Sequence, residues 1–361
     1  MADLLKNMYN QQSINGLAED IQTVYPTFPI ESFLSEVIDD AWADLELKAR
    51  MRKISTSLGN YLPSDYEEAL TVLDKVVANY SGFFGILFPD FVEVYGQSDT
   101  DWALSVAALE RYTVYSSSEF AVRPFIIKDS ERMMKQMRSW SQSENEHIRR
   151  LASEGCRPQL PWGVALSAYK IDPSPVLPIL EQLKTDPSLY VRKSVANNLN
   201  DISKTHPELV MELAREWYGE NEQTNWILKH GCRTLLKRGN QEVLAVFGYH
   251  DASAIIIEDF SLANDVISKG EELSFSVALS ANEATKIRLE YGIDYVKANG
   301  KRNRKIFKIS ELSLKEGEQK LYSKTHSFAD LTTRKHYPGQ HTITLIVNGA
   351  ERETLDFDLN G

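Results

Sequence analysis

Three stretches near the middle of the chain each set a carboxylate among basic residues. Ser116–Phe125 carries Glu119 ahead of Arg123, Ser153–Trp162 carries Glu154 ahead of Arg157, and Val191–Ile202 carries Asp201 behind Arg192 and Lys193. Cations in such a setting suit a surface that docks a phosphate backbone. The carboxylates suit stabilisation of a cationic, oxocarbenium-like sugar, the species that forms as a glycosidic bond breaks. Metal-dependent hydrolysis is not expected, because the seven histidines form no H-x-x-x-H or similar ligand pair. No P-loop or dinucleotide-binding glycine fingerprint is present either, so no cofactor is expected.

The elements that must position these groups read as helices. Over Leu189–Lys204, Val191, Val195, Leu199 and Ile202 form an apolar stripe, which leaves Lys193, Asn197, Asp201 and Lys204 on another face. Asp201 is then expected among an amide and two cations. The plainer account of the same spacing is an exposed carboxylate paired with Lys204 or Asn197, worth ~0.3–0.5 kcal/mol. Over Glu146–Arg157, Ile148, Leu151, Ala152 and Gly155 face inward and His147, Arg150, Glu154 and Arg157 form a polar stripe, on which an Arg150–Glu154 ion pair is the plain expectation. Glu119 follows three serines, as a carboxylate near a helix start does. Trp162 follows Pro158 and Pro161, where the chain must turn and a tryptophan is ordinarily a core residue.

Organisation changes once along the chain. Up to about Tyr249 it reads as helices broken at Tyr25-Pro26, Leu62-Pro63, Asp172-Pro173, Asp186-Pro187 and His206-Pro207. A weak repeat relates Glu146–Gly155, Tyr190–Leu199 and Trp226–Leu235, with the anchors Ile148, Val191 and Ile227 spaced 43 and 36 residues apart. That spacing suits two-helix repeats of HEAT type, a non-repeating bundle being the alternative. Beyond Tyr249 the period becomes two, as at Leu273, Phe275, Val277 and Leu279, and Asn348-Gly349 is a hairpin signal. About seven strands fit there, the count of an immunoglobulin-like sandwich. The expected domains are residues 1–250, all-α and repeat-like, and residues 258–361, all-β.

Composition bounds the setting. The chain has 361 residues and a formal net charge of −11, but residues 1–110 carry −12, residues 111–240 carry +4 and residues 241–361 carry −3. A basic middle in an acidic protein is a local footprint for a polyanion, since binding follows local potential. Cys156 and Cys232 lie too far apart for a C-x-x-C pair, so a reducing cytoplasm is expected. No apolar stretch approaches the roughly 20 residues needed to span a bilayer, and the first residues lack the pattern of a secretory signal.

The Ser-Ser-Glu-Phe-Ala-Val-Arg-Pro-Phe run, the Ser-Glu-Gly-x-Arg-Pro-x-Leu-Pro-Trp run and the Val-Arg-Lys-Ser-Val-Ala-Asn-x-Leu-Asn-Asp run together resemble the AlkC family of DNA alkylation repair glycosylases, relatives of the AlkD HEAT-like repeat enzymes. The resemblance covers residues 1 to about 250, and the β tail is similar to the immunoglobulin-like domain of one branch. It implies a monofunctional glycosylase that hydrolyses the N-glycosidic bond of 3-methyladenine and, for this branch, 3-methylcytosine in double-stranded DNA. Lesion capture in bent DNA without a deep base-flipping pocket is implied as well. By residue match it assigns Glu119, Glu154, Trp162 and Asp201 to the catalytic site.

An N3-alkylated base already carries positive charge and leaves without being protonated. The carboxylates then stabilise the sugar cation and position water, with Asp201 and Glu154 as the pair, Glu119 in support and the Trp162 ring on the deoxyribose. Arg149, Arg150, Arg157, Arg192 and Lys193 are phosphate-clamp candidates. Lys301, Arg302, Arg304 and Lys305, around the Asn299-Gly300 turn, are candidates to enter a groove. No lysine is placed as a Schiff-base nucleophile, so no strand-cleaving step is expected, and a monomer is the simplest state. Two other readings compete: a non-catalytic HEAT-like module for bent or branched DNA, and a protein scaffold working through its acidic first 110 residues.

Overall fold

The computed structural model describes residues 5–331 and 334–361. Among the described residues, sixteen α-helices run from Gln11 to Val246 and eight β-strands follow from Ile255 to Asn360. The chain is a HEAT-like helical repeat followed by an immunoglobulin-like sandwich. No described helix is long and apolar enough to cross a membrane.

Helix starts are set by local chemistry. The Asn145 side chain accepts from the His147 amide at 2.9 Å, capping helix Glu146–Gly155. Asp129 caps helix Ser130–Trp140 through the Arg132 amide at 3.0 Å. Helix Leu189–Ile202 buries the expected stripe of Val191, Val195, Leu199 and Ile202 completely. It packs against both Glu146–Gly155 and Glu222–Gly231, so the three helices that look alike in sequence are neighbours. Gly155 permits a further close approach. A Cβ there would lie 2.7 Å from Val122 Cγ2, so a side chain at 155 would push helix Glu146–Gly155 away from helix Val122–Lys128. That contact brings the turn bearing Glu119 to the helix end bearing Glu154.

The strands are β1 (Ile255–Leu262), β2 (Val266–Ser268), β3 (Glu272–Ala281), β4 (Thr285–Val296), β5 (Arg302–Leu314), β6 (Gln319–Ser327), β7 (Gly339–Val347) and β8 (Ala350–Asn360). They form a three-stranded sheet, β1-β3-β6, and a five-stranded sheet, β2-β8-β7-β4-β5. Alternating Leu273, Phe275, Val277 and Leu279 of β3 meet Ile287, Leu289, Ile343, Leu345 and Val347 in one core. The strand beyond the expected seven is β2, whose three residues pair parallel to β8 and are too few to show alternation. Asn348 and Gly349 take φ of 49° and 78°, the left-handed pair that a two-residue hairpin requires.

By packing, the chain divides into two compact units. One comprises residues up to Thr205 together with Asn221–Gly231, and the other comprises His206–Glu220 and Cys232–Gly361. Helices Pro207–Trp217, Arg233–Lys237 and Gln241–Val246 therefore belong to the sandwich's unit, and the change of unit does not coincide with the change from helix to strand. Within that unit the β7–β8 turn abuts the Gly239 turn, where a Cβ on Gly349 would lie 2.6 Å from Gly239 Cα. Replacing Gly349 by Ala combines that overlap with a left-handed backbone. It is expected to cost about 1–3 kcal/mol in urea denaturation, and an unchanged midpoint would contradict the stated packing.

Candidate active site

Glu119, Glu154 and Asp201 meet in one chain of alternating charge. Glu119 sits in the turn before helix Val122–Lys128, Glu154 in the last turn of helix Glu146–Gly155, and Asp201 in the last turn of helix Leu189–Ile202. Arg150 Nη1 donates to Glu119 Oε2 at 2.8 Å, and its Nη2 lies 3.7 Å from Glu154 Oε1. Arg157 Nη1 donates to Glu154 Oε1 at 2.6 Å and its Nε to Asp201 Oδ2 at 2.8 Å. Lys204 Nζ closes the series on Asp201 Oδ1 at 2.8 Å.

The centre of this network is buried, which corrects the plain expectation of an exposed Asp201 carboxylate. Glu154 and Asp201 are each 4% exposed and Arg157 is buried with them. The principal partner of Asp201, Arg157, comes from another element, 44 residues away, and the closer pair of Glu154 is with Arg157 rather than Arg150. Burial by itself would lower the Arg157 pKa, but the Glu154 and Asp201 charges outweigh it and hold the guanidinium above the ordinary arginine value. Arg150, lying over the Tyr190 ring, is held up in the same way against burial by Glu119 and Glu154.

The carboxylates differ in what remains open. Both oxygens of Asp201 accept from cations. Glu119 receives Ser117 Oγ at 2.7 Å and Arg150 on the same Oε2. Glu154 takes both arginines on Oε1, and its Oε2 accepts from no described residue. Glu154 Oε2 and Glu119 Oε1 are thus the two carboxylate oxygens of the network without a described partner, and of the two residues Glu154 is the more deeply buried and the one held by two arginines.

Trp162 is not a core residue. It is 59% exposed, and its φ of 64° is left-handed, a conformation that costs ~1–3 kcal/mol outside glycine. Two cations grip its loop. Arg123, fully buried, donates from Nε to the Val164 carbonyl and from Nη1 to the Gly155 carbonyl at 2.9 Å, tying the loop to the residue after Glu154. Lys48 Nζ donates to the Trp162 carbonyl at 2.8 Å. The indole meets the exposed Phe83 ring at 6.2 Å between centroids. Lys48 and Phe83 were missed in the sequence because residues 1–110 carry no motif. No pattern in the sequence around Lys48 or Gly82-Phe83 marks either, because both reach the site only through tertiary packing.

The expected phosphate clamps mostly have protein partners. Arg149 makes a two-bond pair with Asp186 at 2.6 and 3.1 Å and also donates to the Ser143 and Glu144 carbonyls. Arg192 donates to the Asp186 and Pro187 carbonyls. Arg150 and Arg157 belong to the carboxylate network, while Lys193 is exposed. In the other unit Arg302 bonds Thr342 and Gln340, Arg304 pairs with Asp294 and Glu351, and Lys301 and Lys305 are exposed. Cys156 and Cys232 are buried free thiols, their pKa values pushed up to about 12 by burial.

Comparison with known proteins places these features in context. A family model described as DNA alkylation repair enzyme matches residues 100–235, and one for the C-terminal Ig-like domain of the uncharacterised protein YhaZ matches residues 256–361. YhaZ of Bacillus subtilis (strain 168) is 51% identical over 359 residues, covering 99% of this chain and 100% of YhaZ. The structure of the Pseudomonas fluorescens alkylpurine DNA glycosylase AlkC, bound to DNA containing an abasic site analog, is 40% identical with a TM-score of 0.96, over 99% of this chain and 100% of that one.

Arg157 neutralises two buried carboxylates, and Lys204 is half in solvent. Arg157→Met is therefore expected to cost ~3–5 kcal/mol of stability and Lys204→Met under ~1 kcal/mol, as read by chemical denaturation. Equal costs would show that Arg157 is not the pivot.

Proposed function

The chain belongs to the AlkC family of DNA alkylation repair proteins, and from that premise we propose that it is a monofunctional DNA glycosylase that excises cationic N3-alkylated bases, 3-methyladenine and 3-methylcytosine, from duplex DNA. It works without a metal, as a monomer in the cytoplasm. The observation that carries this reading is the carboxylate network, in which Arg157 and Arg150 hold Glu154 through Oε1 while Oε2 has no described partner, and in which Arg123 ties the adjacent Gly155 to the loop that carries Trp162. The relative's complex with DNA containing an abasic site analog supports DNA as the partner and an abasic site as the product.

The lesion's positive charge makes the base a leaving group. The C1′–N bond breaks with its electron pair going to the base, which departs neutral and leaves an oxocarbenium-like sugar. Asp201, with both oxygens fixed, contributes standing negative charge and holds Arg157 in place. Glu154 uses Oε2 to orient water toward C1′ and takes its proton as the new C–O bond forms. Glu119 aligns Arg150, and the Trp162 face supports the sugar cation. No amine attacks C1′, so the strand stays intact.

Free base released from methylated duplex DNA, with and without EDTA, tests the proposal. Release should survive EDTA, and Glu154→Gln should lower it by roughly 10²-fold or more. Asp201→Asn should also lower it, while strand cleavage stays at background. Salt-sensitive duplex binding with no base release would overturn the enzyme and leave the non-catalytic DNA module.

A further inference from the structure

Lys48 is the second residue of helix Leu47–Tyr61, far in sequence from every motif of the site, yet its ammonium lies within it. Nζ donates to the Trp162 carbonyl at 2.8 Å and sits 4.7 Å from the centroid of the Phe120 ring, on the residue that follows Glu119. Trp162 is one of two described non-glycine residues at positive φ, the other being the hairpin residue Asn348. A left-handed peptide at a bulky residue persists where its surroundings hold it. Here Arg123 holds the Val164 and Gly155 carbonyls from within, and Lys48 holds the carbonyl of Trp162 itself.

We propose that Lys48 is a positioning residue of the repair site: its ammonium keeps residue 162 left-handed, so that the indole stays presented beside the carboxylates. This rests on the glycosylase reading above. Without Lys48 the 162 peptide is free to relax toward an ordinary backbone, which swings the ring away. The carbonyl and the ring face engage the ammonium from the protein side, which is the role proposed for it; a phosphate contact is the competing role that the salt dependence of duplex binding distinguishes.

The test uses the full chain with Lys48→Met, Lys48→Gln and Lys48→Arg. Single-turnover release of 3-methyladenine should fall about tenfold or more in the Met and Gln proteins and recover largely in the Arg protein. The salt dependence of duplex binding should be unchanged. An unaltered rate would overturn the proposal. So would a salt slope shallower by about 0.9, the signature of one lost phosphate contact. A double-mutant cycle in thermal stability with Trp162→Gly needs no activity. Glycine takes positive φ without strain, so the loss caused by Lys48→Met should shrink in that background, whereas additive losses would refute the coupling. If the unaltered protein releases no base, the glycosylase reading fails on its own, and the cycle still decides whether Lys48 holds Trp162.

Discussion

The Arg157 guanidinium, with Glu154 on one nitrogen and Asp201 on another, is the contact on which the arrangement of the site depends. Buried carboxylates repel one another, and removing them from water costs several kcal/mol each unless cations replace the lost solvation. The alternation Glu119–Arg150–Glu154–Arg157–Asp201–Lys204 meets that requirement with three cations for three anions. A network of this kind contributes little stability beyond what apolar packing of the same volume would. What it confers is a set of carboxylates held in fixed positions, which is the property the proposed chemistry would draw on.

The helical scaffold supplies the rigidity. Glu154 and Asp201 occupy the last turns of two helices that pack against each other, and the glycine at 155 brings in the Glu119 turn. Opposite this stable framework stands a strained loop. The exposed indole at 162 is kept out of the core by carbonyl contacts to Arg123 and Lys48, so backbone strain is balanced by charge-assisted hydrogen bonds.

The basic excess of residues 111–240 has a different physical meaning from the one its charge count suggests. Arg149 joins the Ser143–Glu144 carbonyls to the Asp186 carboxylate, and Arg192 satisfies the Asp186 and Pro187 carbonyls ahead of its own helix. Arg150 and Arg157 neutralise the site. Arginine serves in these places because its planar fork reaches several acceptors at once. Exposed lysines such as Lys193 remain available to interact with a polyanion.

Local periodicity was enough to read the helical repeat, the sandwich and the Asn348-Gly349 hairpin. Each of those depends on neighbours within a few residues: the stripe of Val191, Val195, Leu199 and Ile202 follows from a 3.6-residue turn, and the hairpin from two residues that tolerate positive φ. Tertiary structure alone decided that Asp201 is buried against Arg157, that Glu154 keeps one oxygen without a described partner, that Arg149 pairs with Asp186, and that Trp162 is exposed and held by Lys48. These contacts join residues 37 to 114 positions apart, apart from the Arg157–Glu154 pair at three. Spacing along one helix says which residues share a face. Only the packing of helices says what that face meets, and therefore whether a charge is solvated, paired or left with a lone pair to use.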